Sequence, residues 1–200
     1  MALNRNADKG KIVVISGPSG SGKTTLREEL LQDEELGKRF VKSVSFTTRR
    51  KRSGERNNKD YIFISEPEFK KRLKAKKILE WTKYLGYYYA TSKDFVDKQL
   101  ARRKNIILCL DLKGALRIKK LYPRDSLTIF IAPPSIKALR HRIEGRCNKT
   151  RKEEVQRRLE LARQELSDAG KHDYRVVNKN LAQAAEELKG IILNRVMCNV

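Results

Sequence analysis

Histidine and cysteine are scarce in this sequence. His141 and His172 stand alone, and Cys109, Cys147 and Cys198 lie far apart. Neither set has the spacing of a zinc site, and an odd, scattered trio of thiols makes no disulfide framework. Such thiols suit a reducing compartment. Long apolar runs are missing as well. None approaches the roughly eighteen residues that a membrane-spanning helix needs. The longest, IILCLDL and LTIFIA, read as buried strands. The opening segment MALNRNADKGK is polar and holds no apolar signal core. These absences point to a cytoplasmic protein with no membrane segment and no metal site built on His or Cys.

Acidic residues are the last deficit: 24 stand against 46 basic ones, a net charge of +22. So large an excess favours anionic ligands or partners, nucleotides and RNA among them. A solvated basic surface is the plain alternative. No basic strand interleaved with aromatics is present, so nucleic-acid binding is expected to be weak and nonspecific at most. What is there suffices for a core: 39% of the 200 residues are hydrophobic, enough for one domain with small subdomains.

The chain alternates strand and helix signals without internal repeats or low-complexity linkers. KIVVIS (11–16) is an apolar run of the kind buried on both sheet faces, and TTLREELLQ after it reads as a helix with Leu26, Leu30 and Leu31 on one side. VKSVSF (41–46) alternates like one strand, and YIFI (61–64) reads as another. Ser65 with Glu68 and Pro67 marks a helix start. ILEWTKY and YYYAT flank Leu85-Gly86, a predicted hairpin. Helix follows over 92–103, then strands at 105–112 and 126–132, helices at IKALRHRIEGR and 151–168 (capped by Thr150 with Glu153), a strand at 174–178, and a last helix opened by Asn180 with Gln183. In the hairpin, successive tyrosines Tyr87, Tyr88 and Tyr89 must face opposite ways, so at least one only packs. Trp81 is expected in the core.

Residues 17–24, GPSGSGKT, match G-x-x-x-x-G-K-[ST] between a strand and a helix. In that context Gly17, Gly20 and Gly22 let backbone N–H groups point inward around a polyphosphate at a helix N-terminus, with Pro18, Ser19 and Ser21 completing the loop. Lys23 reaches the β and γ phosphates of a nucleoside triphosphate, and Thr24, followed by Thr25, offers a hydroxyl to Mg²⁺. Asp111 ends the strand IILCL. It either orients hydrated Mg²⁺ or simply caps the next helix, and the residues alone leave both open. Bringing a second anion in line with a triphosphate requires arginines on parts that can close. One set is Arg49 and Arg52, followed by Tyr61; the other is Arg142, Arg146 and Arg158 around Gly145.

Taken together, SGPSGSGKTTL, SVSFTTRRKRSGERNNKDYIFIS, ILEWTKYLGYYYATS, LDLKGALRIK, IFIAPPS and LRHRIEGR resemble the guanylate kinase family, collinearly over about residues 10–195. Residues 43–63 are the specific part, because a P-loop alone is shared by many NTPases. The resemblance implies an α/β fold: a parallel P-loop core flanked by helices (1–37, 92–140 and 171–200), an inserted strand-rich GMP-binding subdomain (38–91) and a helical lid (141–170). It implies phosphoryl transfer from ATP to GMP, in a monomer or small homo-oligomer. Arg49, Arg52, Tyr61 and Tyr89 would hold the GMP phosphate. Glu80, Ser45 and Thr91 would face the base, and Asp111 belongs to the same pattern. Arg142, Arg146 and Arg158 would be lid arginines, and Asn178 would lie near the adenine.

The base choice has its own physics. Guanine presents N1–H and the N2 amino group side by side, and one carboxylate accepts both. Adenine offers a lone pair at N1 instead, and a polar site left unpaired rejects the wrong ligand strongly. Without the resemblance, Glu80 reads as a strand carboxylate paired to a lysine. The family commonly has Asp-x-Asp where this chain has Cys109-Leu110-Asp111, and glycine where Ala90 stands. The competing readings are a non-catalytic interaction module, a kinase for another phosphorylated acceptor, and an RNA-associated NTPase.

Overall fold

Five short segments pair in parallel in the order β2-β7-β1-β8-β9. They are β1 (Ile12–Ser16), β2 (Phe40–Lys42), β7 (Asn105–Cys109), β8 (Ser126–Ala132) and β9 (Tyr174–Val177). The computed structural model describes residues 9–145 and 152–197. Every residue of β1 is buried, since helices cover both faces of the sheet. That is why this strand is apolar almost throughout rather than alternating. On one face α1 (Lys23–Gln32) and α8 (Leu181–Ile192) bring Leu26, Leu30, Leu188 and Ile192. On the other, α4 (Lys93–Ala101) and α5 (Leu112–Leu121) bring Val96, Leu100, Ala115 and Ile118. Each of the Leu, Ile and Val side chains so withdrawn from water contributes about 1.5–3 kcal/mol.

A second sheet has the order β4-β3-β6-β5. It comprises β3 (Phe46–Thr47), β4 (Ile62–Phe63), β5 (Ile78–Tyr84) and β6 (Tyr87–Ser92). The predicted hairpin joins β5 to β6, with Leu85 and Gly86 both at positive φ (49° and 87°). Such a turn matches the twist of the paired strands. α3 (Glu66–Lys74) starts where its capping signature places it, with Ser65 accepting from the Glu68 N–H. Phe69 of α3 stacks on Tyr88 at 4.4 Å and closes the outer face of this sheet. The remaining helices are the short α2 (Glu34–Arg39) and the pair α6 (Ile136–Glu144) and α7 (Lys152–Ser167), which pack through Leu139, Ile143, Val155 and Leu159.

Two expectations are corrected. VKSVSF is not one strand: Phe40–Lys42 pairs with β7 of the core, whereas Phe46–Thr47 pairs with β4 and β6. The chain passes from one sheet to the other over residues 43–45. Alternation marks extended backbone but not which partner it meets. Trp81 is not core either: it remains 44% exposed, because β5 is the edge of its sheet. The expected cap Thr150 and lid residue Arg146 lie outside the described residues.

Candidate active site

The glycine-rich loop leaves the buried end of β1 and is wedged from behind. Gly17 has φ +133°, and a Cβ there would stand 2.3 Å from the Ile131 carbonyl of β8. Gly22 has φ +98°, and its Cβ would stand 2.3 Å from Asn178 Nδ2. Both positions therefore demand glycine. The Asn178 amide donates to the Ser21 carbonyl at 2.8 Å. No side chain among the described residues caps the N-terminus of α1, so its first N–H groups are left for an anion. Lys23 Nζ folds back onto the loop, donating to the carbonyls of Gly17 and, at 2.9 Å, Pro18.

Opposite the loop lies one face of the second sheet, and between them is a cavity of about 1090 Å³. Gly17, Ser19, Gly20, Gly22, Lys23, Thr24 and Thr25 line it from the core side. Glu80, Thr82 and Tyr84 of β5 and Tyr87 and Tyr89 of β6 line it from the other. Alternate positions carry Trp81 and Tyr88 to the outer face, as the pleat requires. Arg49 is buried and gripped by Glu55, to which Nη1 and Nη2 donate at 3.0 and 2.7 Å. Its charge lies 5.4 Å from the Tyr61 ring centre, and Tyr61 in turn meets Tyr89 edge-on at 5.9 Å. Arg52 is exposed and joins the same cluster through its backbone N–H to Glu55, at 2.8 Å. Ser45 also lines the cavity.

Glu80 is the buried acid of this wall, and its partner is not a lysine. Thr91 Oγ1 donates to it at 2.5 Å. Burial pushes its carboxyl up to about 7; the Thr91 hydrogen bond works against that, and the nearby charge of Asp111 adds to it. Asp111 caps α5 by accepting from the Gly114 N–H at 2.8 Å and lines the cavity as well. The two roles left open for it are thus compatible. Gly114 lets α5 approach: a Cβ there would stand 2.7 Å from Glu80 Oε2.

The helical side closes over the loop. Arg158 lines the cavity and donates to Glu154, with Nε at 3.0 Å. Arg142 instead donates to the Asn178 carbonyl at 3.0 Å and is not among the lining residues. Glu165 of α7 also faces the cavity; burial raises its pKa, against the pull of Lys23. Its Oε2 is buried without a hydrogen-bond partner among the described residues.

Comparison with known proteins decides the family. The guanylate kinase family model matches residues 9–195. This chain belongs to the guanylate kinase family. The guanylate kinase of Bacillus anthracis is 39% identical over 185 residues, covering 92% of this chain and 88% of that protein. That of Mycoplasma mobile is 40% identical over 192 residues, 94% of each. A solved guanylate kinase from Anaplasma phagocytophilum superposes with a TM-score of 0.78 at 28% identity, covering 95% of this chain and 88% of that one.

Most residues that the guanylate kinase resemblance singled out converge on one cavity, and the exceptions are instructive. Pro18, Ser21, Thr91, Arg142 and Asn178 do not line it. Thr91 acts behind Glu80, and Asn178 behind the loop. The structure adds lining residues that sequence reasoning missed: Arg27, Tyr84, Arg157 and Glu165. Arg27 stands four positions after Lys23 on α1, and Glu165 seven after Arg158 on α7, so helical spacing was the available signal. Cys109 donates from Sγ toward the Lys23 carbonyl at 3.7 Å.

Proposed function

We propose that this chain transfers the γ-phosphoryl group of ATP to GMP, giving ADP and GDP. The observation that carries the reading is a buried carboxylate, Glu80, in the same cavity as a P-loop lysine. A carboxylate taken from water and held by one threonine hydroxyl keeps acceptor capacity for the N1–H and N2 donors of guanine. Adenine would leave it unpaired.

In this reading Gly17, Ser19, Gly20, Ser21 and Gly22 wrap the ATP phosphates with main-chain N–H groups, Pro18, which has no N–H, shapes the turn between them, and Thr25 extends that wall. Lys23 turns from the Gly17 and Pro18 carbonyls to the β and γ phosphates. Arg49 and Arg52, with Tyr61 and Tyr89, hold the GMP phosphate, and Ser45, Glu80 and Asp111 surround the base, with Thr91 supporting Glu80 from behind. Arg158, with Arg142 and Arg146, draws the helical lid over the transferring group, while Asn178 shapes the adenine end from behind the loop. Segments 38–91 and 141–170 then act as the GMP-binding subdomain and the lid on a core of 1–37, 92–140 and 171–200. No general base is required, because the acceptor phosphate is already an anionic nucleophile. Closure excludes water, which would otherwise take the phosphoryl group.

Mg²⁺ fits the donors present. It binds oxygen, keeps several waters, and takes few ligands from protein when phosphates are available. Thr24, Asp111 and Glu165 all bring oxygens to this cavity. Thr24 would ligate the ion directly, and Mg²⁺ would then offset the charge of the β and γ oxygens. No helix among the described residues is long and apolar enough to cross a membrane. The compartment we propose is the cytoplasm, as a monomer or small homo-oligomer.

The test is a coupled assay with Mg²⁺, ATP and a panel of GMP, dGMP, AMP and UMP. GMP-stimulated ADP formation with AMP a poor acceptor is expected. Folded protein with no GMP-stimulated turnover would end the proposal.

A further inference from the structure

Arg27 follows Lys23 by one turn of α1, so both side chains share a face of that helix, and Arg27 lies about 6 Å further along its axis. It lines the cavity, yet only 8% of it is exposed. Its guanidinium reaches the Cys109 sulfur. Tyr61, whose ring neighbours Arg49, lines the same cavity. Arg27 therefore sits between the P-loop and the arginine cluster of the second wall.

A cation so far withdrawn from water needs a counter-charge. Its one carboxylate partner among the described residues is Glu28, reached from Nε at 3.1 Å and Nη2 at 2.6 Å. Glu28 also serves Lys42, whose Nζ lies 3.2 Å from each carboxylate oxygen. Two cations thus share one carboxylate, and that carboxylate is itself 42% exposed, where water screens it. The neighbouring strand position holds Cys109, a thiol that burial keeps neutral. Of these three charges only Arg27 lines the cavity, one turn of α1 beyond the P-loop lysine, so its under-compensated guanidinium is the one presented to a ligand there.

From this arrangement we infer that Arg27 binds the phosphate of the acceptor nucleotide, alongside Arg49 and Arg52. The substrate, rather than the protein, completes the neutralisation of this cluster. Its place one turn of α1 beyond Lys23, in the cavity that Tyr61 and Arg49 line, assigns it to the monophosphate and not to the triphosphate. The inference rests on the reading that a purine monophosphate occupies the second wall.

Calorimetric titration of GMP and of guanosine, without ATP, tests it on the unaltered chain and on Arg27→Met, Arg27→Lys and Glu28→Gln. Methionine keeps the length and packing of the arginine stem. Arg27→Met should weaken GMP binding roughly 10- to 100-fold, the loss expected for a hydrogen bond to a charged group. Arg27→Lys should restore part of it, since charge is kept but the planar fork is not. Glu28→Gln, on the solvent side, should bind GMP more tightly because the guanidinium loses its competitor. Guanosine, which lacks the phosphate, should bind all four proteins alike. A merely structural arginine would weaken both ligands together and would not give opposite signs for Arg27→Met and Glu28→Gln; either result overturns the inference. If the unaltered chain binds neither ligand, the kinase reading itself fails and this inference falls with it.

Discussion

The two walls of the cavity are built on different principles. The P-loop wall uses backbone: glycines at positive φ, N–H groups of an uncapped helix, and one lysine, all within residues 17–25. The second wall uses side chains drawn from separate elements, with Arg49, Tyr61, Glu80 and Tyr89 spread over residues 49–89. Its charges are held in place by partners, Glu55 for Arg49 and Thr91 for Glu80. Backbone N–H groups recognise phosphate, which many ligands share, whereas placed side chains distinguish one base edge from another. The supports differ as well. The core sheet is covered on both faces, while the second sheet leaves Trp81 at an open edge. The wall that must be common to all phosphate chemistry is the more deeply anchored one.

If the walls are separable in this way, substitutions should act on one ligand at a time. Lys23→Ala should have the largest effect, lowering kcat by about 10²–10³-fold or more. GMP affinity and unfolding temperature should hardly move; a parallel collapse in GMP binding would show the walls to be one unit. Glu80→Gln should raise the GMP KM by roughly 10- to 100-fold, because an amide donor now faces guanine donors. An unchanged GMP KM would remove Glu80 from base recognition. A pair of glycine substitutions sharpens the contrast further. Gly22→Ala drives a methyl onto Asn178 and strains a positive φ, so ATP binding should weaken by about 1–3 kcal/mol. Gly114→Ala presses on Glu80 instead and should weaken GMP binding, with ATP binding intact. Crossed effects in titrations of the two nucleotides would contradict the division.

The smallest expected effect is on pH dependence. Burial places the Glu80 carboxyl at about 7, so the ligand-free protein carries it largely neutral below that pH. Binding guanine donors favours the ionised form. Guanosine affinity should therefore rise between pH 6 and 8, by roughly tenfold at most for a single titrating group. Guanosine is the right probe, since it has no phosphate to titrate, and Glu80→Gln should flatten the profile. The stability contribution has the opposite sign. A raised carboxyl pKa stabilises the fold while protonated, so this contribution is complete below the ordinary value of 4.5 and is lost as pH climbs through about 7. A melting temperature of the ligand-free protein that rose over that window because of Glu80 would reverse the assignment of its environment.

Where physical determinants are local, they were readable in advance. The P-loop needs eight consecutive residues, the helix starts at Ser65 and Asn180 need a cap and its third neighbour, and the hairpin needs Leu85-Gly86. Each stands where its pattern placed it. The misreadings share one cause. Alternation along VKSVSF shows an extended chain but not the change of sheet at residues 43–45, and apolarity at Trp81 does not reveal that nothing covers an edge strand. The surroundings of Asn178, Arg27, Gly114 and Glu165 come from segments distant in sequence, and no spacing rule brings them together.

By itself the sequence determined a phosphate-binding loop, its strand and helix, and the family, because torsions, caps and hydrophobic period act within a few residues of each other. Only the tertiary structure decided which side chains share the cavity, which buried acid desolvation makes harder to ionise, and which cation goes short of a carboxylate. Those quantities depend on the distance between groups far apart in the chain and on how much water lies between them, and folding alone sets both.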